Sequence, residues 1–235
     1  RVVGMGAFQA SELIRDNLAS RLGEGAVTAL TYGMFIMQVP ETIIGTAIGT
    51  ALLPTLAQLA ARDDRTALSR TLTDSLRIMV YLTLPAAVAG IFLARPALRL
   101  VFEGGLFSAA GTDMVVFAAQ MFLLGLVGHS LVEIAARTFY AFGDAVRPTL
   151  AAVLAMGLQI GISIALLNYT QLDFGGLALA NAIAFSVQAA GLLVVLYLKR
   201  RPFNVTAVLR GWGIAALGAV CLAAVLAATF GKAVP

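Results

Sequence analysis

The sequence predicts an all-α fold, a polytopic transmembrane helix bundle of about seven spans, and three observations carry that prediction. Of 235 residues, 60% are hydrophobic and 12% charged, with a mean hydropathy of +0.92. A soluble domain carries about 25% charged residues. The apolar residues fall in runs near the roughly 20 that cross a bilayer as a helix. Basic residues collect in the joints between those runs, and they do so unevenly. The small net charge of +4 suits anionic lipid headgroups, so membrane lipids are expected partners and nucleic acid is not. The single cysteine, Cys221, excludes a disulfide framework and a Cys-based metal site.

Taken in order, the first span covers about 2–22 and is unusually polar, with Glu12, Arg15 and Asp16 in its middle. The second, 27–61, is long enough to tilt or to extend past the bilayer, and it carries Pro40 and Pro54. The third covers 72–93 with Pro85 inside it. The apolar stretch 96–102 is too short to span, so it is expected as an interfacial or re-entrant helix ended by Glu103-Gly104-Gly105. The remaining spans are 114–140, 146–167, 177–198 and 212–230. Between two of them, Phe139-Tyr140-Ala141-Phe142 runs into Gly143-Asp144 and Arg147-Pro148, a polar break in an apolar setting. Two small-residue pairs, Gly45 with Gly49 and Gly157 with Gly161, are spaced for close helix packing in lipid.

Alternate joints divide the basic residues. One set holds Arg62, Arg65, Arg70, Arg77, Arg137, Arg147, Lys199, Arg200, Arg201 and Arg210; the other holds Arg21, Arg95 and Arg99. The positive-inside rule puts the first set in the cytoplasm, so the first span runs outward and the chain ends outside. The chain starts at Arg1 within what reads as a helix and stops at Pro235 just past another, as a fragment of a longer protein would.

Intramembrane charge marks the candidate sites. Glu12, Arg15 and Asp16 lie at i, i+3 and i+4 and share one helix face, which should point at a cavity or a partner helix. Their other reading is a self-neutralised structural cluster. His129 and Glu133, also four apart, could shuttle protons, or Glu133 could pair with Arg137 along the helix. Glu41 follows Pro40, whose ring removes a backbone donor and frees a carbonyl one turn earlier. A carboxylate beside that break could gate a movement or bind a cation, or it could solvate the kink. No HExxH, nucleophile–base spacing or phosphate loop is present, so a catalytic enzyme, a metal site and a cofactor are not expected.

One resemblance covers nearly the whole chain and is strongest over 9–150. Asp16-Asn17-Leu18-Ala19-Ser20, Gly25, Tyr32, Pro40 and the run Gly45-Thr46-Ala47-Ile48-Gly49-Thr50-Ala51-Leu52-Leu53-Pro54-Thr55-Leu56 are similar to the MurJ (MviN) lipid II flippases. The family's Phe-Tyr-Ala-x-x-Asp-x-x-x-Pro joint matches Phe139, Tyr140, Ala141, Asp144 and Pro148. The resemblance implies the multidrug/oligosaccharidyl-lipid/polysaccharide exporter superfamily, whose two helical lobes rock about a central cavity. It implies that 1–235 is a C-terminal lobe fragment, with a missing N-terminal lobe as partner and the lobe's last helix also missing.

The implied activity is transport of lipid II across the bacterial cytoplasmic (inner) membrane, serving peptidoglycan and cell-wall biogenesis. The implied substrate is a lipid-linked diphosphate sugar, held in a cationic cavity lined by the first helices of both lobes, with its tail in a groove of the last two helices. Two positions depart from the family: Phe35 stands where an arginine is common, and Glu133 where a basic residue is often seen. Arg15 is the candidate replacement cation for substrate, with Glu12 and Asp16 beside it, and Pro40, Glu41, His129 and Glu133 are candidates for gating or ion coupling. The alternatives are a polysaccharide-unit or drug exporter of the same superfamily, or a non-transporting membrane scaffold.

Overall fold

A computed structural model describes residues 2–102, 109–200 and 202–230. The expected helix end at Glu103-Gly104-Gly105, the outward joint there and the chain's two ends lie outside the described residues. Helices make up the fold: α1 (Val2–Ala19), α2 (Ala26–Pro40), a π-helical turn (Glu41–Thr46), α3 (Ala47–Ala61), α4 (Arg65–Phe102), α5 (Ala109–Leu123), α6 (Leu126–Ala141), α7 (Val146–Tyr169), α8 (Asp173–Arg200) and α9 (Val205–Phe230).

The helices run back and forth as a bundle. Among the described residues, five rods are long and apolar enough to cross a membrane: α2 through α3 taken together, α4, α7, α8 and α9. Helices α5 and α6, bent by 43° at the break between them, are long and apolar enough only when taken together. Helix α1 is the seventh rod, but its 18 residues are too polar to meet the same test.

Three span expectations need correction. The stretch 96–102 is not a separate interfacial helix, because α4 continues through both Pro85 and Pro96. Packing carries it past Pro96: Ala94 and Leu98 are buried in the core, and Arg95 pairs with Asp113 of α5 at 3.1 Å. The span 114–140 is interrupted at Leu124-Gly125, where the Gly125 N–H donates to the Phe122 carbonyl in a tight turn. The span 212–230 starts earlier, at Val205, where the Asn204 side chain accepts the Ala207 N–H and caps α9.

Joints expected on the cytoplasmic side converge at one end. A cleft of about 490 Å³ is lined by Asp63, Arg65, Phe142, Arg147, Lys199 and Arg200, one pair from each of three joints. The Arg200 guanidinium lies 4.4 Å from the centre of the Phe142 ring. Asp144 accepts the Arg147 N–H at the start of α7, and Gly143 turns with φ +73, a conformation that disfavours any side chain.

The core is in two parts. One packs Leu56, Leu72, Leu76, Met79, Ile134 and Leu196 toward that cleft; the other packs Leu30, Met37, Leu98, Phe122, Leu126 and Leu177 away from it. Between them the sequence turns polar on every central helix: Glu41 at the π-turn, Thr83 on α4, His129 and Ser130 on α6, and Asn181 on α8.

Candidate functional site

Two groups of polar side chains stand among the apolar helices. The first is on α1. Arg15 is 5% exposed, and Glu12 holds its Nη1 at 2.8 Å while Asp16 holds its Nη2 at 3.0 Å. Nη1 also lies 3.1 Å from the Met34 Sδ of α2, which ties the cluster to the neighbouring helix. One cation is shared by two anions, so the face shows carboxylate rather than guanidinium: the Asp16 side chain is 41% exposed. The i+3 and i+4 spacing brought the three together as expected. It left open which group faces out, because that depends on Met34.

Phe35 is exposed on α2 beside Tyr32, their rings edge to face at 6.5 Å. Helix α1 is also tied to α7, where the buried Ser11 hydroxyl donates to Gln159 Oε1 at 3.3 Å. Neither residue of that tie was singled out from sequence, since each alone is an ordinary polar residue in an apolar run.

The second group is the polar seam. His129 does not face Glu133. Its Nδ1 lies 3.6 Å from Glu41 Oε1, and its Nε2 lies 2.9 Å from Asn181 Oδ1. The imidazole stacks on Phe185 with centroids 3.6 Å apart and planes 9° off parallel. Glu133 instead accepts from Arg137 Nη2 at 2.8 Å, one turn further down α6. Two residues named separately in the sequence, Glu41 and His129, are therefore partners, and of the two readings of Glu133 the structure shows the pair with Arg137 rather than one with His129.

Glycines let these helices meet. Gly128 of α6 lies against Ser186 of α8, so close that a Cβ there would stand 2.9 Å from the Ser186 Cα. A Cβ on Gly45 would meet Ser130 Oγ at 3.3 Å, and one on Gly49 would meet Arg137 Nε at 2.6 Å. The pair Gly45 and Gly49 thus serves close packing. The pair Gly157 and Gly161 does not within this chain, since both are exposed on α7 with open space around them.

Pro40 closes α2, and the π-turn begins at the next residue. Proline supplies no N–H, and a π-turn carries the extra residue that the widened ladder leaves. Among the described residues, no cluster of three or more His, Cys, Asp or Glu is placed to hold a metal.

Residues 1–233 match the family described as "Lipid II flippase MurJ". A lipid II flippase MurJ from Burkholderia cenocepacia is 35% identical over 194 residues, covering 82% of this chain and 37% of that protein. A probable lipid II flippase MurJ from Rhizobium meliloti is 33% identical over 191 residues, covering 81% of this chain and 35% of its own length. The chain thus spans little more than a third of the curated relatives it matches. A solved structure of lipid II flippase MurJ in an inward closed conformation superposes with TM-score 0.75 at 20% identity, covering 99% of this chain and 53% of that one. An outward-facing multidrug resistance MATE transporter superposes with TM-score 0.72 at 18% identity, covering 93% of this chain and 50% of that one.

Proposed function

The chain belongs to the MurJ lipid II flippase family, and we propose that it is the C-terminal lobe of a flippase that carries lipid II across the membrane by alternating access. It is a multi-pass protein of the bacterial inner membrane. The observation that carries the reading is the family match over almost the whole length, joined to a buried arginine paired with carboxylates on α1. An N-terminal lobe would face α1 and α2 across a cavity. The headgroup would enter from the cytoplasmic end, the lobes would rock, and the prenyl tail would stay in lipid throughout.

No bond of the substrate changes, so the lobe needs no nucleophile and no general acid. It needs a wet polar path for a diphosphate and a dry one for a tail. For the first, Arg15 is the candidate cation, and binding would exchange one of its two carboxylate contacts for a phosphate oxygen. Asp16, the more exposed of the two, is the partner to be displaced. For the second, an apolar groove of about 480 Å³ runs along α6, α8 and α9, lined by Leu131, Leu193, Val208 and Trp212.

The test is transfer of headgroup-labelled lipid II in proteoliposomes holding the full-length protein, read by access of an external quencher. Movement of lipid II above protein-free vesicles is expected. Folded protein that leaves lipid II in place while moving an apolar cation would overturn the reading, and the exposed Phe35 would then mark a drug-binding face.

A further inference from the structure

We propose that the basic cleft where three joints meet, together with the groove between α7 and α8, holds an anionic phospholipid of the leaflet at that end. Its phosphate rests on Lys199 and Arg200, and one acyl chain runs along the groove. The inference is independent of what the lobe transports.

The charges of the cleft divide into used and unused. Arg65 is held by Asp63 and Arg147 by Asp144, while Asp64 accepts the Ala67 N–H in the first turn of α4. Lys199 and Arg200 meet no carboxylate among the described residues. Arg200 has the Phe142 ring, its guanidinium carbon 4.4 Å from the ring centre. A ring offers a cation its π face but no lone pair, so the N–H donors of Arg200 and Lys199 remain for an oxygen-rich anion. With Asp144 counted, four cations stand against three carboxylates, and the surplus lies at the end of α8.

The cleft continues into the apolar part of the bundle. Arg147 lines both the cleft and a second groove, of about 310 Å³, between α7 and α8. That groove is walled by Leu150, Leu154 and Leu158 on one helix and by Val187, Gly191 and Val195 on the other. Each wall rises about 12 Å between its end residues, close to the roughly 15 Å of hydrocarbon in one leaflet. Both helices are long and apolar enough to cross a membrane. The groove is also distinct from the one along α6, α8 and α9, because Ser186, Ala190 and Leu193 of α8 line that one instead.

A cationic mouth that opens on an apolar channel of leaflet depth complements one kind of molecule, an amphiphile with an anionic head and an acyl tail. Bilayer and groove are about equally apolar, so chain contacts select little. Selection falls to the head group, at about fivefold in affinity for each Lys or Arg that meets it. A phosphate held there would also tie the α6–α7 joint, through Arg147, to the α8–α9 joint.

The experiment uses the full-length protein in neutral detergent micelles, with a small fluorophore on Val153→Cys as the single cysteine. Val153 is exposed on α7 beside Leu154, outside the groove lining. Phosphatidylglycerol with brominated acyl chains, which quench at contact, is titrated against phosphatidylcholine with the same chains. Phosphatidylglycerol is expected to quench at about 25-fold lower concentration, for two cations. Lys199→Gln with Arg200→Gln should abolish that preference. Lys199→Gln alone, which breaks no ion pair, should reduce it about fivefold and is read where the double variant does not fold. Gly191→Leu adds its side chain to open space in the groove, so quenching by both lipids should weaken.

Equal quenching by the two lipids in the parent, or a preference kept by the folded variants, overturns the proposal. Unchanged quenching in Gly191→Leu places the chain elsewhere and overturns it as well. Glycerol phosphate, a head without a chain, should leave the phosphatidylglycerol quenching in place; displacement at concentrations matching the lipid's would make the cleft a free-anion site and refute the lipid.

Discussion

Gly128→Ala is the sharpest test of how α6 and α8 are held. The added methyl would stand 2.9 Å from both the backbone N and Cα of Ser186. Ordinary carbon contacts are near 3.5–4.0 Å, and a backbone cannot rotate out of the way as a side-chain tip can. The helices must therefore part by roughly half an ångström or more along the face that brings His129 to Asn181. Overpacking of this kind costs about 1–3 kcal/mol, while Ala over Gly in a helix interior returns about 1 kcal/mol.

The net expectation for Gly128→Ala is a loss of about 0–2 kcal/mol. Gly157→Ala and Gly161→Ala are the controls: each adds its methyl to open space, so only the helix preference remains and a gain of up to about 1 kcal/mol is expected. Equilibrium unfolding in mixed micelles, followed by circular dichroism, separates the three. Equal stability of Gly128→Ala and Gly157→Ala would refute the close packing, and with it the placement of the histidine.

Three further outcomes are expected. A cysteine placed at Asp173 should react with an impermeant thiol reagent in intact cells and one at Gly143 should not, with Cys221 removed first; the reverse pattern would invert the topology read from the basic joints. Pro40→Ala restores a backbone donor at the edge of the π-turn, so lipid II transfer should slow more than folded yield falls; a parallel fall in both would make the proline purely structural. Arg15→Ala should weaken lipid II binding about ten- to a hundredfold, and Arg15→Lys should recover part of it because an ammonium keeps charge but loses the fork. Unchanged binding in Arg15→Ala, measured by titration calorimetry in micelles, would leave the cluster a structural one.

The helices were legible because membrane spans are written in composition and their ends in charge. Arg65, Arg147 and Arg200 lie far apart in sequence, yet alternation along the bundle placed them at one end, where they line one cleft. Boundaries set by tertiary packing were less legible. Pro96 reads as a helix stop, and it fails to stop α4 because Ala94 and Leu98 are buried on either side of it. The break at Leu124-Gly125 is hidden for the converse reason, since one glycine in an apolar run gives no bend signal of its own.

Site residues followed the same division. Contacts within one helix, such as Arg15 with Glu12 or Arg137 with Glu133, are fixed by spacing and can be read from it. The His129–Glu41 and His129–Asn181 contacts join residues 88 and 52 apart in sequence. Only the packing of α6 between the π-turn and α8 brings them together. The glycine pairs show the limit plainly: the same spacing packs at Gly45 and Gly49 and meets open space at Gly157 and Gly161.

The self-paired charges on α1 also bear on how the protein is made. Helix α1 packs chiefly on α7 rather than on its sequence neighbour α2, and Ser11 reaches across to Gln159. Helix α7 is synthesised about 130 residues after α1 ends, which at a ribosomal pace of roughly 5–20 residues per second is a wait of about 6–25 seconds. Throughout that interval α1 must stay in or beside the translocon without its proper neighbour. Because Glu12 and Asp16 sit on the same helix as Arg15, the guanidinium is neutralised from the moment the helix forms. A charge whose partner lay on α7 would have to linger unpaired in hydrocarbon or slip back to the cytoplasm. The local cluster thus lets a polar helix be committed to the membrane early, and moving Glu12 or Asp16 to α7 would leave the finished contacts intact while stalling the nascent chain.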